Sequence, residues 1–91
     1  MPNVAEIIDL IEETPSKEEV ELIAKAYNFA EKAHSNQKRF SGEPYFIHPF
    51  ETAKILAGLG KQAVTICGGL LHDTIEDTWV TKEDIKKEFG K

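Results

Sequence analysis

The feature that most constrains this chain is the spacing of its apolar residues, which recur at intervals of three and four in one segment after another and never alternate over the length of a strand. Val4, Ile7, Ile8 and Ile11 follow Asn3, whose spacing to Glu6 is that of a capping box, and predict a helix over about 4–13. Thr14-Pro15 breaks it. Ser16 and Glu19 repeat the capping signature, and Val20, Ile23, Ala24, Tyr27 and Ala30 mark one face of a second helix that runs to about His34. Residues 35–49, SNQKRFSGEPYFIHP, have neither period and read as a long loop, packed through Phe40, Tyr45 and Phe46. Pro49 is placed to open a third helix, about 50–58, with Ala53, Ile55, Leu56 and Leu59 inward and Gly60 as its stop. A fourth, about 61–73, is apolar over more than half its circumference through Ala63, Val64, Ile66, Cys67, Leu70 and Leu71, which suits a central position. Thr81 and Asp84 start a short helix of about 82–89. The expected fold is all-α: a helical bundle of about five helices in a single domain, residues 1–91.

Size and charge narrow the function. A chain of 91 residues buries only about 60–65% of its unfolded surface, so its stability is expected to be modest. The N-terminus, MPNVAEIIDLIEE, carries acids where a secretion signal needs bases, and no later apolar run could span a bilayer. A cytoplasmic protein with no membrane partner is expected. The net charge of −5 argues against nucleic acid as a partner. Its distribution is uneven: Lys25, Lys32, Lys38, Arg39 and Lys54 outnumber Glu31, Glu43 and Glu51 within residues 25–54, so a small anion would be met there. The single cysteine, Cys67, cannot form an internal disulfide and reads as a small buried thiol.

The sequence HDTIED, residues 72–77, places four ionisable side chains at the end of an apolar helix, where burial is costly without partners. His72 and Asp73 point about 100° apart on a helix and can share one ion only if the helix lies broadside to it. An ion there needs further ligands, and His48, held by Pro49 at the end of the loop, is the natural third. Two imidazoles and a carboxylate suit a transition metal, with Mn²⁺ or Fe²⁺ favoured over a cysteine-rich structural zinc site. Glu76 and Asp77 lie four residues beyond His72 and Asp73, and a continuing helix would raise them from the same surface to move protons beside a metal. A solvated acidic helix end is the competing reading. His34 likewise stays open between a packing histidine at the end of its apolar stripe and a member of the site.

The stretches RFSGEPYFIHPFETAKIL, LLHDTIEDT and VTKEDIKKEFG, in that order, resemble the hydrolase domain of the RelA/SpoT family, over about residues 20–90. That resemblance implies an HD-superfamily helical bundle and an enzyme, a metal-dependent phosphohydrolase that removes pyrophosphate from the 3′ position of guanosine 3′,5′-bis(diphosphate), ppGpp. The implied cofactor is Mn²⁺, with Fe²⁺ or another divalent ion as substitutes, and the implied small-molecule partner is a guanine nucleotide. By matching position, His48, His72 and Asp73 are implied as metal ligands and Glu76 and Asp77 as the catalytic acidic pair. Arg39 matches a basic residue lining the nucleotide site, with Lys38 beside it for phosphate, and Ser41, Gly42, Glu43, Pro44 and Tyr45 match the loop that shapes the pocket.

Two departures from the family pattern bear on activity. Phe40 stands where the family often has lysine, which leaves room for an HD phosphohydrolase acting on another nucleotide. Family members also continue beyond the position of Gly90 with helices that bring a further aspartate ligand, whereas this sequence ends at Lys91. A weak metal site, low turnover and a homodimer in which Asp9 or Asp84 of a second copy supplies a carboxylate are the expectations. A noncatalytic remnant that binds nucleotide or a partner protein is the alternative.

Overall fold

Side-chain caps decide where the helices of this chain begin. The computed structural model describes residues 3–11, 14–35, 45–78 and 80–89 and, for Asp73, Ile75, Glu76 and Asp77, the backbone alone. Among the described residues there are five helices and no strand: α1 (Val4–Ile8), α2 (Lys17–Ala33), α3 (Ile47–Gly58), α4 (Ala63–Asp77) and α5 (Lys82–Phe89). The all-α expectation holds. At the head of α2 the Ser16 N–H donates to Glu19 Oε1 at 2.8 Å and the Glu19 N–H to Ser16 Oγ at 3.1 Å, a reciprocal box. Thr81 and Asp84 do the same for α5, at 2.9 and 3.2 Å. Asn3 caps α1 differently, accepting from the Ala5 N–H at 2.8 Å, while Glu6 turns its carboxylate toward Lys54.

Three expectations need correction. First, α1 ends at Ile8 instead of continuing to about 13, because the Leu10 and Ile11 N–H groups reach back three residues to Ile7 and Ile8 and tighten the chain into a turn. Second, α3 starts at Ile47, before Pro49. Proline sits in its first turn, where the missing N–H would have had no helical partner, and the His48 N–H bonds the Tyr45 carbonyl at 3.0 Å. Third, Ile55, Leu59 and Val64 are 62%, 67% and 64% exposed. The inward residues of α3 are Pro49, Phe50, Ala53 and Ala57, and those of α4 are Ala63, Ile66, Cys67, Leu70 and Thr74. A helix apolar on most sides gives no direction of its own; bulk at Phe50 sets it for α3.

α2 and α3 each pack with α4 through these faces, and α1 lies across α2 and α3 with Ile7 fully buried. The link from α3 to α4 is short and regular. Gly60 has φ of 77°, its N–H bonds the Ala57 carbonyl, and the Lys61 N–H bonds the Leu56 carbonyl, a paired closure that only a left-handed residue permits. The two helices therefore run antiparallel. They pack closely at Gly69, where an added Cβ would lie 2.7 Å from Leu56 Cδ1, 3.4 Å from Thr52 Cγ2 and 3.9 Å from Ala53 Cα.

Candidate functional site

That register sets where the candidate residues lie. One turn along α4 from Gly69 comes His72, followed by Asp73; one turn back along α3 from Thr52 comes His48, whose carbonyl accepts from Thr52 Oγ1 at 3.1 Å. In an antiparallel pair those two steps lead to the same end. His48 and His72 are both exposed there, although each lies on a helix whose other face is core.

The first turn of α3 is fixed by aromatic packing. Phe46 and Phe50 flank His48 at two residues on either side and are both buried, so His48 between them is turned outward. Their rings lie edge-on to Tyr27 of α2, with centroids 5.0 and 6.3 Å away, within the range favoured by ring quadrupoles. Tyr45 enters from the other side. Its ring stacks on His34, the residue that caps the end of α2, at 4.8 Å and 27°, and lies 6.1 Å edge-on from His48. His34 is 1% exposed. The structure buries it in packing, against the ring of Tyr45, one of the candidate nucleotide contacts.

The last turn of α4 is held by hydroxyl groups that the sequence reading passed over. Thr74, fully buried, donates from Oγ1 to the Leu71 carbonyl at 2.7 Å, Thr78 Oγ1 donates to the Thr74 carbonyl, and Thr78 Oγ1 accepts from the Val80 N–H at 3.1 Å. The two threonines are four residues apart, and that spacing was the available signal. Helix α4 runs to Asp77, further than the expected end near 73, so Glu76 and Asp77 stand one turn beyond His72 and Asp73 on one continuous helix. Three acids then fall in its last five residues with no base in the last turn. The C-terminal end of a helix already carries partial negative charge, so this arrangement is unfavourable unless a cation compensates it.

The donor set available at this end is nitrogen and oxygen. Cys67 lies inward on α4 within the core, where burial pushes its thiol up to about 11, whereas His48 and His72 are exposed. Two imidazoles with carboxylate oxygens fit a divalent transition ion. Among the described residues no three His, Cys, Asp or Glu side chains form a group that could hold a metal ion, and the carboxylate of Asp73 is outside that description. Lys38, Arg39 and Ser41 lie outside the described residues, as do Phe40, Gly42, Glu43 and Pro44, so of the expected nucleotide contacts only Tyr45 is placed.

Comparisons with known proteins bear on the family of the chain. A family model described as an HD domain matches residues 26–91. Over 86 residues the chain is 49% identical to a protein of Mycoplasma pneumoniae named probable guanosine-3′,5′-bis(diphosphate) 3′-pyrophosphohydrolase, covering 91% of this chain and 12% of that protein. It is 54% identical over 71 residues to the guanosine-3′,5′-bis(diphosphate) 3′-pyrophosphohydrolase of Aquifex aeolicus, covering 78% of this chain and 10% of that one. A GTP pyrophosphokinase of Streptomyces coelicolor is 50% identical over 68 residues, 75% of this chain and 8% of its own length. The chain thus spans about a tenth of the length of the curated relatives it matches. With the family model covering more than half of its residues, and with the RelA/SpoT resemblance read from its motifs repeated in these relatives, the chain belongs to the HD domain family.

Proposed function

We propose that this chain carries the metal-binding end of a hydrolase domain that removes the 3′-pyrophosphate of ppGpp, with His48, His72 and Asp73 as ligands of a divalent ion, Mn²⁺ by preference. The observation that carries the reading is the α3–α4 register, which brings positions 48, 72 and 73 to one end of the pair, on a chain about half identical to proteins named for that reaction. The bound ion supplies Lewis acidity toward a phosphoryl oxygen and lowers the pKa of water. The residues supply the rest. His48 and His72 offer their rings from separate helices, so the ion is fixed by the packing of α3 on α4. Glu76 and Asp77 extend the acidic helix end by one turn and take up or return the proton of the attacking water. Arg39 and Lys38 neutralise phosphate, Arg39 as a bidentate donor, and Ser41 and Tyr45 shape the pocket.

The remaining elements of the reading are proposals of the same kind. The 91 residues act as one domain, and a cytoplasmic setting goes with a nucleotide substrate; no helix among the described residues is long and apolar enough to cross a membrane. A homodimer would cover the exposed Ile55, Leu59 and Val64. Of the two carboxylates considered for exchange, Asp84 is engaged in the cap of α5, which leaves Asp9 the better suited. Light scattering during gel filtration tests the dimer: a mass of one chain excludes it.

A second reading has its own support. A relative named GTP pyrophosphokinase matches this region about as well as one named for hydrolysing guanosine 3′,5′-bis(diphosphate). A domain that binds ppGpp without turnover fits that match. Incubation with Mn²⁺ and ppGpp, followed by chromatographic separation of nucleotides, decides between them. The hydrolase reading expects GDP and pyrophosphate in equal amounts; unchanged ppGpp that nevertheless binds would support the second.

A further inference from the structure

We infer that His34 is a positioning residue for the metal site, acting through the ring of Tyr45 on the imidazole of His48; the inference rests on the proposal that His48 is a metal ligand. His34 occupies the end of α2, where its N–H bonds the Ala30 carbonyl at 3.0 Å, and its side chain is 1% exposed. A ring so enclosed has little freedom to turn. Tyr45 lies flat upon it at 4.8 Å and 27°, while the Tyr45 carbonyl accepts the His48 N–H at 3.0 Å. Tyr45 is therefore held at both ends, by its ring on α2 and by its backbone on the first turn of α3. Its ring edge then meets the His48 ring at 6.1 Å and 72°. Aromatic pairs in both geometries have preferred orientations, so a fixed first ring orients the second and the second restricts the third.

The need for such a device follows from His48 being exposed. An imidazole at the surface binds an ion more tightly the more fully its orientation is set beforehand, because less freedom is lost on binding. Ligating histidines are ordinarily oriented by a neighbour that hydrogen-bonds the second ring nitrogen, and loss of that neighbour weakens metal affinity by about 10- to 100-fold. Here the neighbour is an aromatic ring supported from beneath. Residues 35–44 separate His34 from Tyr45 in the chain, and the ring stack brings the two ends of that interval together.

The test compares His34→Ala, His34→Phe, His48→Ala and Ile23→Val by calorimetric titration with Mn²⁺ and by thermal melting. Ile23 is fully buried on the same helix, so its variant reports what core destabilisation alone does to binding. His34→Ala is expected to weaken Mn²⁺ binding about tenfold, His34→Phe to restore it to within about threefold of the parent because a flat ring is returned to the stack, and Ile23→Val to leave it unchanged. If His34→Ala does not fold, Tyr45→Leu breaks the stack from its half-buried side and is expected to show the same tenfold loss. Unchanged affinity in His34→Ala or Tyr45→Leu, or a His34→Phe variant as weak as His34→Ala, overturns the inference. Parent-like binding in His48→Ala instead overturns the metal assignment on which it rests.

Discussion

Two buried side chains, Cys67 and Tyr27, give the described part of this fold an alkaline pH response. Burial raises the Cys67 thiol to about 11, and burial together with the carboxylates of Glu31 and Glu6 raises the Tyr27 hydroxyl to about 12. Below pH 9 both are protonated whether the chain is folded or not, and their contribution to stability is complete. Above it the unfolded chain releases protons that the folded chain retains, so stability falls as pH rises through the interval from about 9 to about 12. Melting temperature is expected to decline from pH 9 upward, and in Cys67→Ala the decline should begin later, nearer pH 10 where Tyr27 starts to titrate. Identical pH profiles for the two proteins would show that the thiol is not held protonated by the core. Cys67 as a small buried group was legible in the sequence, from its apolar neighbours alone. Exposure of Ile55, Leu59 and Val64 was not, because apolar character states that a side chain can be buried and does not state against what.

At the scale of the element, legibility followed the caps. The starts of α2 and α5 were readable because Ser16-Glu19 and Thr81-Asp84 satisfy orphan N–H groups locally, with partners three residues apart in the chain. The start of α3 was not, since the side chain of Phe46 makes no capping bond and aromatic packing on Tyr27 holds the turn instead. Helix α5 shows the same dependence on tertiary contact. It has no buried residue of its own. It is attached through Phe89, whose ring lies 5.6 Å edge-on from Phe29 of α2 and 5.1 Å from the Lys25 ammonium, and Lys25 Nζ also donates to the Glu88 carbonyl at the helix end. A cation there complements the helix dipole as well. Phe89→Ala is expected to release α5 while leaving the remaining helices folded, costing about 1–3 kcal/mol of local stability. Hydrogen exchange measures it: loss of protection in 82–89 with protection in α2 and α4 retained is the expected pattern, and a uniform loss would show that α5 unfolds only with the whole chain.

For the whole molecule the decisive feature is the packing of α3 on α4, which brings two separate sequence motifs to one end of the pair. The motifs themselves, IHP and HDTIED, were legible as candidate ligands. Their placement at one end of an antiparallel pair depends on Gly60, which closes the turn, and on Gly69, which leaves room for the Leu56 and Thr52 side chains of α3. Gly60 was read as a stop, but nothing in the sequence marked Gly69 over its neighbour Gly68, where an added Cβ meets nothing within 4 Å. Gly69→Ala is expected to change stability by less than about 1 kcal/mol, because better helix propensity offsets the turn that Leu56 must make. Gly69→Val adds atoms against α3 that cannot be accommodated so simply; it should cost about 1–3 kcal/mol and weaken Mn²⁺ binding as the two helices part. Parent-like Mn²⁺ affinity in Gly69→Val would mean that this register does not assemble the site. The central claim, that His48 and His72 hold one ion between them, is tested most directly by adding Mn²⁺ in small portions and following the ring signals of the three histidines by NMR. Paramagnetic broadening is expected to remove the His48 and His72 signals together, well below one equivalent; loss of either while the other stays sharp, or persistence of both, would contradict the account.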